Sequence, residues 1–164
     1  MAKSKKRFRS YQQELDYTCG VAVVRTLFGI YGLLVPSERK LAKKLGSTDE
    51  RGTMPMAIQE YLIDNYFFAA MYEQSSVIHL RRCLDDGMQV ILDLALWGGH
   101  YVLATGWEKR KGWEGGRFTL ADPAAKYEGR EDGFTYLAGG NLEGLWFDPL
   151  EPGPTERLMI AVSR

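Results

Sequence analysis

The sequence predicts an α+β domain in which helices come first and strands follow. Apolar residues recur on a helical period through much of the first 88 residues, and strand-like apolar runs take over from residue 89. No regular alternation of strand and helix runs through the chain, so separate runs of helices and strands are favoured over βαβ units.

Cys19 to Tyr31 places Val23, Leu27 and Ile30 on one helical face, with Ala22 and Thr26 beside them, and Gly32 closes the segment. Ser37 is a good N-cap for a short basic helix from Glu38 to Leu45, ended by Gly46. Thr53 is expected to cap a third helix running to about Asn65, with Pro55 tolerated in its first turn. Its inward face would be Met54, Ile58, Leu62 and Tyr61. Phe67 to Tyr72 reads as a strand. Ser75 or Ser76 then starts a helix with Val77, Leu80 and Leu84 inward, ending at Gly87. Strands follow at 89–94, 101–107, 117–121 and 158–162, and the charged, glycine-rich stretch 109–116 reads as a hairpin loop. Residues 124–156, rich in glycine and holding Pro149, Pro152 and Pro154, show no clear period.

At 164 residues with 45% apolar composition, the chain can build one core, a domain of this size burying roughly 70% of its unfolded surface. Residues 1–10 carry Lys3, Lys5, Lys6, Arg7 and Arg9 and are expected to form a solvated basic tail, leaving 11–164 as a single domain. No apolar stretch follows that run, so it does not read as a signal peptide. Lys and Arg number 21, as do Asp and Glu, which argues against general affinity for nucleic acid, where clustered cations must neutralise phosphates. The longest apolar passage, 90–97, is interrupted by Asp93 and falls short of the roughly 20 residues a membrane span needs. With only two cysteines, Cys19 and Cys83, free thiols in a reducing cytoplasm are expected rather than a disulfide framework.

Cys19 sits where a loop becomes a helix. Unpaired N–H groups and the macrodipole favour negative charge there, and a thiolate is the reactive form of cysteine. Local sequence alone reads equally as a buried structural thiol. Gly20 would leave room for a substrate beside the sulfur. Cys83 lies on the apolar stripe of its helix and reads as core. Without further thiols or a Cys-x-x-Cys pair no metal site is expected. Of two histidines, His79 lies in a helix with a surface role, while His100 follows Trp97-Gly98-Gly99 and opens a strand facing a cleft. Paired with Cys19 it becomes a candidate base. Asp122 ends the strand after the hairpin, near the same end as His100, where a carboxylate would fix the imidazole tautomer. Asp148-Pro149 is a second Asp-Pro, ranked behind because it has no matching strand. Trp97, Gly98 and Gly99 would either shape a narrow groove or form a tight turn.

The ordered set 13-QELDYTCGVA-22, then Gly99-His100-Tyr101-Val102-Leu103, then Ala121-Asp122-Pro123, resembles the bacteriocin-processing peptidases, papain-like cysteine peptidases that remove double-glycine leader peptides. The resemblance spans roughly residues 11–123, and Gly52-Thr53 also fits its pattern. It implies a papain-like fold with helices packed on an antiparallel sheet, a peptide or protein substrate, and no cofactor. It also implies that Gln13, six residues before Cys19, joins the Cys19 N–H in an oxyanion hole. The family's best-known members are domains of membrane exporters, whereas this sequence contains no transmembrane or nucleotide-binding segment. Attack on a peptide bond is the simplest outcome. The same residues would serve an acyltransferase or a glutamine deamidase, and a non-catalytic peptide-binding module is the rival from another class.

Overall fold

The computed structural model describes residues 8–148 and 155–164. In chain order these form α1 (Cys19–Ile30), α2 (Glu38–Leu45), α3 (Pro55–Asp64), β1 (Phe68–Tyr72), α4 (Val77–Asp85), β2 (Gln89–Leu94), β3 (His100–Glu108), β4 (Arg117–Ala121), β5 (Phe134–Ala138), α5 (Gly139–Leu145), β6 (Phe147–Asp148), β7 (Thr155–Glu156) and β8 (Met159–Ser163). Six strands make one antiparallel sheet in the order β1-β8-β2-β3-β4-β5, and β6 pairs with β7 separately. The fold is α+β, as the pattern of elements predicts.

The sheet is buried on both faces. Ile91, Tyr101, Leu103 and Ile160 pack with α1, α2 and α3, while Val90, Leu92, Val102, Phe118 and Leu120 pack with α4 and α5. Successive side chains on a strand point to opposite faces, which is why neighbours in sequence serve different cores. The Ser37 hydroxyl accepts from the Lys40 N–H at the start of α2, and Gly46 ends that helix at φ 63°. Ser76 caps α4 by accepting from His79 N–H.

Several sequence-based expectations shift. The third helix begins at Pro55 with Met54 as its cap, because the Thr53 hydroxyl bonds Ser47 Oγ (2.7 Å) instead of capping. Met54 is exposed, and the buried residues of α3 are Ile58 and Leu62. Leu84 is only partly buried, its place on the inner stripe of α4 being shared with Cys83. Residues 1–7 of the expected basic tail lie outside the described residues. Its last three residues are packed: Phe8 meets Phe134 edge-on at 5.6 Å, Arg9 lies over the Tyr11 ring, and Ser10 is buried. The stretch without a sequence period supplies β5, α5 and β6, and its Trp146 is 1% exposed with Nε1 donating to Leu158 O (2.8 Å). Pro149, Pro152 and Pro154 lie outside the described residues.

Candidate functional site

Cys19 is the first residue of α1, and no side chain caps that helix. Its N-terminal N–H groups therefore remain available to negative charge at the sulfur or on a ligand beside it. The loop leading into it is held from α2. Buried Glu38 accepts from Glu14 N–H (2.8 Å) and from the Thr18 hydroxyl, with Arg25 at 3.5 Å from its other oxygen.

His100 opens β3, and Asp122 immediately follows β4. The β3–β4 register, with one irregularity between Ala104 and Gly106, brings the two together at one end of the pair. His100 Nε2 lies 2.8 Å from Asp122 Oδ1. The imidazole also hydrogen-bonds the Cys19 side chain, and with Nε2 engaged, Nδ1 is the nitrogen left for that contact. His100 and Asp122 are each 2% exposed. Burial opposes the charged imidazole, but Asp122 and Cys19 together outweigh it and raise His100 to about 9. Burial likewise pushes Asp122 up. The bonds from His100, Thr135 Oγ1 (2.6 Å to Oδ2) and Ala124 N–H (2.9 Å to Oδ1) win, holding it below the ordinary carboxylate range. Arg130 adds a charge 3.4 Å from Oδ2.

A cleft of about 650 Å³ opens in front of Cys19. Tyr17, Gly52 and Thr53 line it together with Trp97, Gly98, Gly99 and Tyr101. Tyr101 donates its hydroxyl proton to Thr53 O at 2.9 Å. Trp97 is 65% exposed, adopts φ 51°, and stands edge-on to His100 with ring centroids 5.1 Å apart. A non-glycine residue at such a φ stores strain of the kind that concentrates at functional loops.

Two expected positions are buried and do not themselves line the cleft. Gly20 is buried outside the cleft lining, and a Cβ there would come 3.0 Å from Thr53 Cβ and 3.1 Å from the Tyr101 ring. Its lack of a side chain lets α1 approach Thr53 and, on β3, Tyr101, both of which line the cleft. Gln13 is also buried; one hydrogen of its Nε2 donates to Leu15 O (2.9 Å), and the amide carries a second donor hydrogen.

Sequence reasoning missed an acid pair in the same cleft. Asp93, on β2, and Asp148, on β6, share a hydrogen bond, and burial together with Asp148 and Cys19 raises Asp93 to about 9. A Cβ on Gly99 would come within 3.3 Å of the Asp148 carboxylate. A lone carboxylate in the apolar run 90–97 was the available signal for Asp93. Asp148, ranked behind in the sequence for want of a matching strand, does lie on one, because β6 pairs with β7. Thr135 and Arg130 gave no sequence signal, since their role depends on β5 pairing with β4. Among the described residues no group of three or more His, Cys, Asp or Glu is placed to hold a metal ion, and no helix is long and apolar enough to cross a membrane.

Searches against known proteins give a consistent fold. The peptidase domain of Streptococcus ComA, a bi-functional ABC transporter, matches over 96% of this chain and 98% of its own at 17% identity and a TM-score of 0.71. A double glycine motif protease from an AMS/PCAT transporter, solved with its leader peptide, matches over 99% and 97% at 15% identity and a TM-score of 0.67. A C39-like peptidase from Bacillus anthracis matches over 96% of each chain at 13% identity and a TM-score of 0.60. A search of curated proteins finds no match. These neighbours share the papain-like fold of C39 peptidase domains, the fold seen here. The family model for Peptidase_C39 like proteins matches residues 5–138, most of the sequence, and the chain belongs to that family.

Proposed function

We propose that the protein is a cysteine peptidase that cuts a peptide lying in the cleft between Thr53 and Gly99, with a leader-type peptide as its substrate. The observation that carries this reading is the buried relay in which His100 bonds Asp122 on one nitrogen and faces Cys19 with the other. The family and the leader peptide held by one structural neighbour support a peptide substrate.

In the proposed reaction the Cys19 thiolate attacks the scissile carbonyl carbon, and the oxyanion is met by the Cys19 N–H and the Gln13 amide. The C–N bond breaks as His100 gives its proton to the leaving amine. His100 then takes a proton from water, the hydroxide attacks the thioester, and the C–S bond breaks to release an acid. Asp122 keeps the imidazole oriented and its charge favourable. Trp97, Gly98 and Gly99 form the wall against which the substrate backbone runs. Both thiols are free, which fits work in a reducing cytoplasm.

Alkylation by iodoacetamide, followed for each cysteine by mass spectrometry from about pH 4 to 9, tests this reading. Cys19 should label quickly at pH 6, Cys83 should not, and His100→Ala should remove the difference. Equal, slow labelling of both thiols in wild type would overturn the peptidase and leave a peptide-binding module as the reading.

A further inference from the structure

The Gln12 side chain makes three hydrogen bonds to main-chain groups. Its Nε2 donates to Asp122 O (2.9 Å) and to Ser10 O (3.4 Å), and its Oε1 accepts from Lys126 N–H (3.0 Å). Two further bonds lie beside it: Gln13 N–H donates to Pro123 O (3.0 Å), and the Tyr127 hydroxyl donates to Gln13 O (3.1 Å). The arm also fits closely against Gly133. That residue sits at φ 80°, and a Cβ on it would fall 2.9 Å from Ser10 Cβ and 3.2 Å from Gln12 Nε2. The Gly133 carbonyl in turn accepts from Asp122 N–H (3.0 Å). One main-chain amide of Asp122 is thus tied to β5's leading loop, while its carbonyl is tied to the arm.

We propose that Gln12 is a positioning residue that fixes the arm carrying Gln13 to the loop carrying Asp122, and so sets where the Gln13 amide meets the reacting carbonyl. The inference rests on the proposed oxyanion role of Gln13. The Asp122 carboxylate has its own supports in Ala124, Thr135 and Arg130, none of which involves Gln12. Loss of Gln12 therefore leaves the His100–Asp122 relay standing and lets the arm drift. Misplacement of a donor by about 1 Å can cost around 10²-fold in rate.

Two reactions at the same sulfur separate these effects. Acylation by a p-nitrophenyl ester passes through an oxyanion, whereas alkylation by iodoacetamide displaces iodide and forms none. Gln12→Met fills similar space without hydrogen bonds, and Gln12→Ala serves if methionine disturbs folding. Either should slow Cys19 acylation by about tenfold or more, while alkylation stays within about twofold with its pH dependence unchanged. Gln13→Ala should slow acylation by about 10²–10³-fold, and adding Gln12→Met to it should cost nothing further, because Gln12 acts only through Gln13. Equal losses in both reactions would make Gln12 merely structural and overturn the proposal, as would unchanged acylation or additive effects in the double variant. If Gln13→Ala alone leaves acylation intact, the oxyanion assignment fails and this inference fails with it. If wild-type Cys19 shows no His100-dependent alkylation, the peptidase reading itself has failed.

Discussion

Cys19 and Cys83 are both free and both 8% exposed, yet they stand in opposite chemical surroundings. Cys19 begins a helix, faces a cleft and hydrogen-bonds a buried imidazole. Cys83 lies within α4 among Val77, Leu80, Val90 and Leu92, where burial pushes its thiol up and the Asp86 charge pushes it further. The buried carboxyl of Asp93, which interacts with Cys19, behaves differently: it holds its proton to about 9, so it opposes a thiolate little at neutral pH. Burial alone does not identify a nucleophile. The sign and protonation of the neighbours do.

The sharpest way to break this contrast is to remove each sulfur. Cys19→Ala should abolish peptide cleavage, a loss of at least about 10³-fold, while Cys83→Ala should keep activity within about twofold. Comparable losses in a chromogenic peptide assay would erase the distinction.

Removing the support of His100 comes next. Asp122→Asn should lower kcat by roughly 10²–10⁴-fold. It also removes a partner that raises His100, so the alkaline limb of kcat/KM should move down from about 9. An unmoved limb would mean that Asp122 does not set the charge on His100.

Stability should show the reverse preference. Cys83→Ala deletes a packed core group and should cost about 1–2 kcal/mol in urea unfolding, more than Cys19→Ala beside the open cleft. The pH-dependent effect belongs to Asp93. Between the ordinary carboxylate value of about 3.9 and the folded value of about 9, the unfolded chain gives up a proton that the folded chain keeps. Stability therefore falls as pH rises through that window. Asp93→Asn removes that slope, so its effect on stability should be more favourable at pH 8 than near pH 4. A constant offset between thermal melts at the two pH values would show that Asp93 is not the titrating group.

The order of helices and strands was legible because each element carries its own signal. Ser37 and Gly46 bracket α2, Ser76 caps α4, and the strands show continuous apolar runs. Cys19, His100 and Asp122 stood out through their places at element ends, which a strand register can join. What remained hidden depends on pairing between distant segments. Asp148 reaches the cleft through β6–β7, Thr135 reaches Asp122 through β5, and Glu38 holds the loop before Cys19 across 20 residues. Gly20 carried no packing signal in the sequence, because a glycine beside a nucleophile reads as clearance for a ligand while the approach of α1 to Thr53 and Tyr101 needs it as well. Thr53 misled because a hydroxyl that can cap a helix can also find a nearer partner, here Ser47.

The edge-on contact between Trp97 and His100 gives the molecule an optical gauge of its own. A protonated imidazole quenches indole emission through electron transfer, and a neutral one does so far less. Trp97 is the tryptophan in ring contact with His100, while Trp146 lies buried in the core against Leu158. Its fluorescence should therefore brighten as His100 loses its proton near pH 9, reporting the charge of the candidate base without any added label.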